Sequence, residues 1–197
     1  MELLDDGIGA RGCLALGAAC SQGHNLSLLT LKLDFNSQIG AQGAQNLCRG
    51  LRSNMTLRQL HMQFCQITHE AGPALGELVS NSKSSLEVLN LSGNRLGGLG
   101  LYSICSGLTG NTCLQTLALA DNLIDQSEDD LVGIRSLRDA LLEPESGLTS
   151  VDLMYNRIGE AGAQILVPAL GPENTKIAGE VLCCLVLCCV FSLERAF

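Results

Sequence analysis

One phrase, L-x-x-L-x-L-x-x-N/C, is written five times along this chain of 197 residues, and a sixth, truncated copy opens at Met1. Aligned on the Asn/Cys position, the copies read Leu28, Leu31, Leu33, Asn36; Leu57, Leu60, Met62, Cys65; Leu86, Leu89, Leu91, Asn94; Leu114, Leu117, Leu119, Asn122; and Leu148, Val151, Leu153, Asn156. Met1, Leu3 and Asp6 hold the corresponding last places of the first copy. Successive Asn-type positions lie 30, 29, 29, 28 and 34 residues apart. Self-similarity at such a period predicts a solenoid, because one unit cannot bury its apolar face alone.

Within each phrase, Leu-x-Leu has the two-residue period of a strand, so both leucines face a core and the x residues face outward. Parallel strands are expected near residues 31–33, 60–62, 89–91, 117–119 and 151–153. Asn then ends the strand, where its amide can donate to and accept from backbone groups of neighbouring coils. Asn36, Asn94, Asn122 and Asn156 are expected to form such a ladder, with Cys65 as a weaker substitute.

The second half of each unit is equally regular. The frame G-A-x-x-L-x-x-x-L appears as Gly43, Ala44, Leu47, Leu51 and as Gly162, Ala163, Leu166, Leu170. It fits Cys13, Leu16, Cys20; Leu75, Val79; Leu101, Ile104, Leu108; and Ile134, Leu137, Leu141 in the other copies. Apolar residues at these steps mark the buried stripe of an amphipathic helix. Each unit therefore reads as strand, turn, helix.

This strand-plus-full-helix unit resembles the ribonuclease-inhibitor-like class of leucine-rich repeats, the class also found in Ran GTPase-activating protein, tropomodulin and the sensor arms of NOD-like receptors. The stretch Leu148–Leu170 carries the resemblance best. It implies an α/β leucine-rich-repeat solenoid: a curved right-handed βα arc with short parallel strands inside and helices outside. About six units are expected over residues 1–172, with a non-repeat, Cys-rich tail at 173–197.

Composition and charge narrow the function. The chain is 46% hydrophobic without Trp, so the core must be aliphatic, and stacked coils of that kind form one quasi-linear domain. Twelve basic residues are scattered and the net charge is −8, which argues against nucleic acid as a partner. Ten of the twenty acidic residues lie between Asp121 and Glu160, a pattern that suits a solvated helical face better than a docking patch.

The start MELLDD has no basic and apolar signal region, so the ten cysteines read as reduced and the protein as cytoplasmic. Six of them occupy small apolar repeat positions, where thiols are ordinary core. No paired C-x-x-C or His spacing suggests zinc, and no catalytic arrangement or phosphate loop surrounds the histidines. Asp125, Glu128, Asp129 and Asp130 are better read as a helix N-terminus than as a calcium loop. No enzyme, metal or cofactor is expected.

What remains is a surface. Two outward columns cross the concave face: Lys32, His61, Asn90, Ala118, Asp152 in mid-strand, and Asp5, Phe35, Phe64, Gly93, Asp121, Tyr155 just before the Asn position. Phe35, Phe64 and Tyr155 are candidate anchors for a protein partner, together with Lys32, His61, Asn90, Asp121 and Asp152. The competing reading is that Phe35 and Phe64 cover the edge between adjacent coils.

Two segments break the period. The stretch "DQSEDDLVG" reads as an acidic insertion in the loop before a helix. The tail "IAGEVLCCLVLCCVFSLERAF" holds an apolar run of eleven, too short to span a bilayer. It reads as a cap on the last coil, as sequence foreign to the native protein, or as a membrane anchor lipidated at Cys183, Cys184, Cys188 or Cys189. At the other end, Met1 stands inside a strand, which leaves an apolar edge that further repeats or a partner would cover. The functional expectation is a non-catalytic scaffold binding a partner protein on the concave face. Regulation of a small GTPase and a structural place in a cytoskeletal or ciliary assembly are the alternatives.

Overall fold

The structure is a computed structural model that describes residues 1–21, 27–81, 84–125 and 128–171. Each repeat becomes one coil. The strands are β1 Thr30–Lys32, β2 Gln59–His61, β3 Val88–Asn90, β4 Thr116–Ala118 and β5 Ser150–Asp152. The helices are α1 Ala10–Cys20, α2 Gly40–Leu51, α3 Gly72–Val79, α4 Gly97–Gly107, α5 Glu128–Leu142 and α6 Gly159–Leu170, with a 3-10 turn at His69–Ala71 before α3.

The strands pair in chain order as one parallel sheet, β1 to β5. Register sets like against like: Leu31 opposite Leu60, Leu60 opposite Leu89, Leu89 opposite Leu117, and Leu117 opposite Val151. The truncated first copy joins through a bridge between Glu2 and Lys32. Each strand begins one residue before the expected centre, yet its ladder runs on past its end: the Leu33 N–H donates to the His61 carbonyl at 2.9 Å and the Phe35 N–H to the Gln63 carbonyl at 2.8 Å.

The core lies between the sheet and the helices. Both apolar residues of the Leu-x-Leu pattern are fully buried in the second to fourth copies, at Leu31, Leu33, Leu60, Met62, Leu89 and Leu91. The helical frame buries Ala44, Leu47, Leu75, Leu101, Ile104, Ile134, Leu137 and Leu166 against them. Removing such a side chain from water contributes roughly 1.5–3 kcal/mol, which is how stacking stabilises coils that could not fold singly.

The Gly that opens the helical frame has a steric reason. A Cβ on Gly43 would stand 2.8 Å from the Ile39 side chain, and one on Gly162 would stand 2.3 Å from Ile158. The apolar residue of each turn folds over this glycine, so a side chain there would displace it from the core.

Glycines also set how closely neighbouring helices pack. A Cβ on Gly50 would lie 2.3 Å from the Gly17 backbone, one on Gly107 2.1 Å from Gly76, and one on Gly133 2.3 Å from Gly98. Neighbouring helices meet there backbone against backbone. The acidic insertion is not simply loop: α5 starts at Glu128 and runs 15 residues, against 12 in α2 and α6. Acidic residues are favoured in a first helical turn, so the chain from Glu128 onward enters the helix, which is three residues longer than α2. Among the described residues no helix is long and apolar enough to cross a membrane.

Candidate functional site

The strand-to-helix turns are held by the Asn/Cys positions. Asn94 donates to the Met62 carbonyl of the preceding coil at 2.8 Å and to Leu91 at 2.7 Å. Its side-chain oxygen accepts the N–H groups of Cys65 at 3.1 Å and Ile67 at 3.0 Å. Asn156 repeats the arrangement on Leu119, Asn122 and Ile124. Asn36 donates to Leu3 and accepts from Ile8, while Asn122 donates to Leu91 and accepts from Leu96. Cys65 keeps only half of this chemistry: its thiol donates to the Leu33 carbonyl at 3.1 Å and has no amide oxygen to offer. Burial pushes that thiol up to about 12, with the Asn36 backbone N–H pulling the other way.

Of the acidic residues around α5, Asp130 has a structural task. Its carboxylate accepts the Gly98 N–H at the start of α4 and the Asp125 N–H at 3.0 Å, so it ties neighbouring coils together. Burial, opposed by those two N–H groups, raises its carboxyl above the usual range. Among the described residues no group of His, Cys, Asp and Glu is arranged to hold a metal ion. All six described cysteines are free, and five are buried.

The mid-strand column is in register: Lys32 beside His61, His61 beside Asn90, Asn90 beside Ala118, Ala118 beside Asp152. Lys32 is engaged by Glu2 at 2.6 Å, a partner that the sequence reading did not supply. His61 is half-buried, its Nε2 is buried with no hydrogen-bond partner among the described residues, and burial lowers its pKa. Asn90 and Asp152 accept the N–H two residues on, from Ser92 and Met154. Ala118 is buried.

The second column reveals a feature that the repeat pattern did not announce. Its members Asp5, Phe35, Phe64, Gly93, Asp121 and Tyr155 all have left-handed backbones, with φ of 54, 67, 53, 72, 52 and 58°. The chain turns out of the strand at this residue in every coil. For an L-residue that conformation costs roughly 1–2 kcal/mol; Gly is exempt, and Asp tolerates it better than most. The residue types Asp, Gly and Asp at three of the six positions were the available signal.

Phe35, Phe64 and Tyr155 fit that position poorly, and they are not buried either: their exposures are 52, 43 and 80%. Phe35 stacks on Phe64 with ring centroids 5.3 Å apart and planes at 5°. Phe64 in turn covers Gly93, where a Cβ would meet its ring at 2.3 Å. The two phenylalanines thus do bridge adjacent coils, while about half of each remains on the surface. Leu4, next to Asp5 in the chain, and Leu123, two residues after Asp121, are exposed as well. On the convex side, α4 and α5 leave an open groove of about 250 Å³ lined by Ser106, Ser136, Asp139 and Glu143 among others. Cys183, Cys184, Cys188 and Cys189, with the rest of the tail, lie outside the described residues.

Stacked strand, turn and helix coils at intervals of 28–34 residues, held by an Asn/Cys ladder, define a leucine-rich-repeat protein of the ribonuclease-inhibitor-like class. The chain belongs to that family: the Leucine Rich repeat family model matches residues 24–48, 53–76, 82–105 and 148–167. Over 173 residues, 86% of its length, the chain is 32% identical to NACHT, LRR and PYD domains-containing protein 12 of Mus musculus. Over 180 residues, 90% of its length, it is 32% identical to the ribonuclease inhibitor of Sus scrofa. It spans 15% of the first relative and 37% of the second. Among solved structures, the tropomodulin C-terminal domain of Caenorhabditis elegans superposes with a TM-score of 0.64 at 15% identity, covering 96% of this chain and 99% of that one. The actin-binding site 2 domain of leiomodin-1 superposes with a TM-score of 0.61 at 12% identity, covering 94% and 96%. These two likenesses are of fold alone.

Proposed function

We propose that the chain is a non-catalytic interaction module that binds a protein partner along its concave face and the adjoining strand-exit edge. The observation that carries this reading is the set Phe35, Phe64 and Tyr155: aromatic, exposed, and held in a backbone conformation that disfavours them. Stacking between coils accounts for only about half of each phenylalanine and local preference for none of the three residues, and strained or exposed aromatic positions concentrate where partners dock. His61, half-buried in the neighbouring mid-strand column, adds a polar side chain to the same surface. The buried free thiols support a reducing, cytoplasmic setting.

The test is affinity capture with the wild-type chain and a Phe64→Ala, His61→Ala variant, followed by titration of the captured protein. Loss of an anchor typically costs 2 kcal/mol or more, about a thirtyfold loss of affinity. Binding should weaken by that order while the melting temperature changes little. Retained binding with a collapsed fold would make the aromatics core pieces. A second reading, a place in an actin assembly, is favoured by the fold shared with leiomodin-1's actin-binding site 2. Co-sedimentation with filamentous actin decides it.

A further inference from the structure

One face of the Phe35 ring lies against Phe64 of the coil that follows, and Asp5 holds the equivalent position in the coil that precedes. The Asp5 N–H donates to the Asp34 carbonyl at 3.1 Å, which places Asp5 about one strand spacing, ~4.8 Å, from that coil. Asp5 and Asp6 are exposed, and neither has an ion pair among the described residues. The other charged groups of this corner are already committed. Glu2 and Lys32 bind each other, and Asp34 is buried with its Oδ1 accepting the Gln63 N–H at 2.7 Å. The outward loop positions beside the edge are Gly7, Ser37 and Gln66, none of them cationic, whereas Arg95 and Arg157 hold that position only in later coils.

An open aromatic face beside an uncommitted carboxylate is chemistry that takes a cation. The ring's negative face attracts it over a few ångströms, and the carboxylate neutralises it. We propose that Phe35 and Asp5 seat an arginine side chain from a basic segment of the partner. Guanidinium fits better than ammonium, because its plane lies flat on the ring while its fork of N–H groups turns to Asp5. The net charge of −8 favours approach of such a segment. This assignment rests on the reading that the strand-exit edge binds protein.

The experiment is an NMR titration of the full chain with N-acetyl-arginine amide, and in parallel with the neutral isostere N-acetyl-citrulline amide. The arginine compound should shift the Phe35 ring and Asp5 amide signals saturably, and the citrulline compound should not. Asp5→Asn keeps a residue type that tolerates the left-handed backbone, and Phe35→Leu keeps apolar bulk without a ring. Each should weaken arginine binding roughly two- to fivefold, the size of an exposed cation–π contact. Added salt should weaken binding to the wild type more than to Asp5→Asn. Equal shifts with citrulline, or an unchanged titration in Asp5→Asn, overturn the proposal. A captured partner that Phe64→Ala releases but Asp5→Asn and Phe35→Leu hold at full affinity overturns the arginine seat alone. A partner indifferent to all three variants overturns the edge reading as well.

Discussion

The Phe64 ring occupies the space that a side chain on Gly93 would fill, with a Cβ there only 2.3 Å from the ring carbons. Gly93 also has a φ of +72°, so backbone conformation and ring placement both exclude a side chain. Gly110 provides a control, because it has the same φ with nothing within 4 Å. Gly110→Ala should cost only the left-handed penalty, about 1–2 kcal/mol. Gly93→Ala should cost more and displace the Phe64 ring signals in an NMR spectrum. Equal melting temperatures for the two variants would show that the ring moves aside freely.

The Asn ladder makes a paired prediction. Asn94→Ala strips a buried side chain from three carbonyls and two N–H groups and should destabilise by about 1–3 kcal/mol, against little change for exposed Arg95→Ala. Conversely, Cys65→Asn should offer an amide oxygen, a stronger acceptor than sulfur, to the Asn36 and Gln38 N–H groups, as Asn94 does to Cys65 and Ile67. A gain of about 1 kcal/mol corresponds to a melting temperature some 2–4 °C higher in a chain of this size. A drop instead would mean that the second coil is built around sulfur.

His61 links stability to pH. Burial lowers its folded pKa below the unfolded value near 6.5, with Lys32 lowering it further and Asp34 and Glu2 opposing. The unfolded chain therefore binds the proton more readily, so stability rises with pH through this window and falls as pH drops below about 6.5. His61→Asn, which places the residue of the next coil in the column, removes the term. Thermal melts at pH 7.5 and 5 should show a larger loss for the wild type than for His61→Asn; parallel losses would remove His61 from the account.

Thiol reactivity should follow burial. Cys48 is pushed up to about 12 and Cys13 to about 11, and Cys105 is raised by burial as well, whereas Cys113 is half-exposed. Only the thiolate alkylates, so in native protein at pH 8 Cys113 should label at least roughly tenfold faster than Cys48 or Cys105. Peptide-resolved mass spectrometry after iodoacetamide treatment reads this directly. Equal rates would mean that the coils open between reagent encounters.

The repeat was legible because its signal is local. Leu-x-Leu, the Asn that follows, and the helical Leu spacing are each written within a dozen residues, and each is imposed by burial of one face. Even the copy Leu114–Asn122, which the family model leaves unmatched, could be read this way and folds as β4. The columns of outward residues followed directly, since the two-residue period of a strand decides facing and the shared place within each repeated phrase decides register, whatever the length between copies.

Other features depend on atoms about one coil apart in sequence, where no local pattern reaches. The stack of Phe35 on Phe64, the seat of Phe64 on Gly93, the backbone contact of Gly17 with Gly50, and the Asp130 carboxylate on Gly98 all join different coils. Composition and period determined that coils stack and which residues face inward. Only the tertiary structure decided how closely the helices approach and which exposed rings lean on which neighbours, because those distances are set by the left-handed turn that closes each strand and by the packing of one coil on the next.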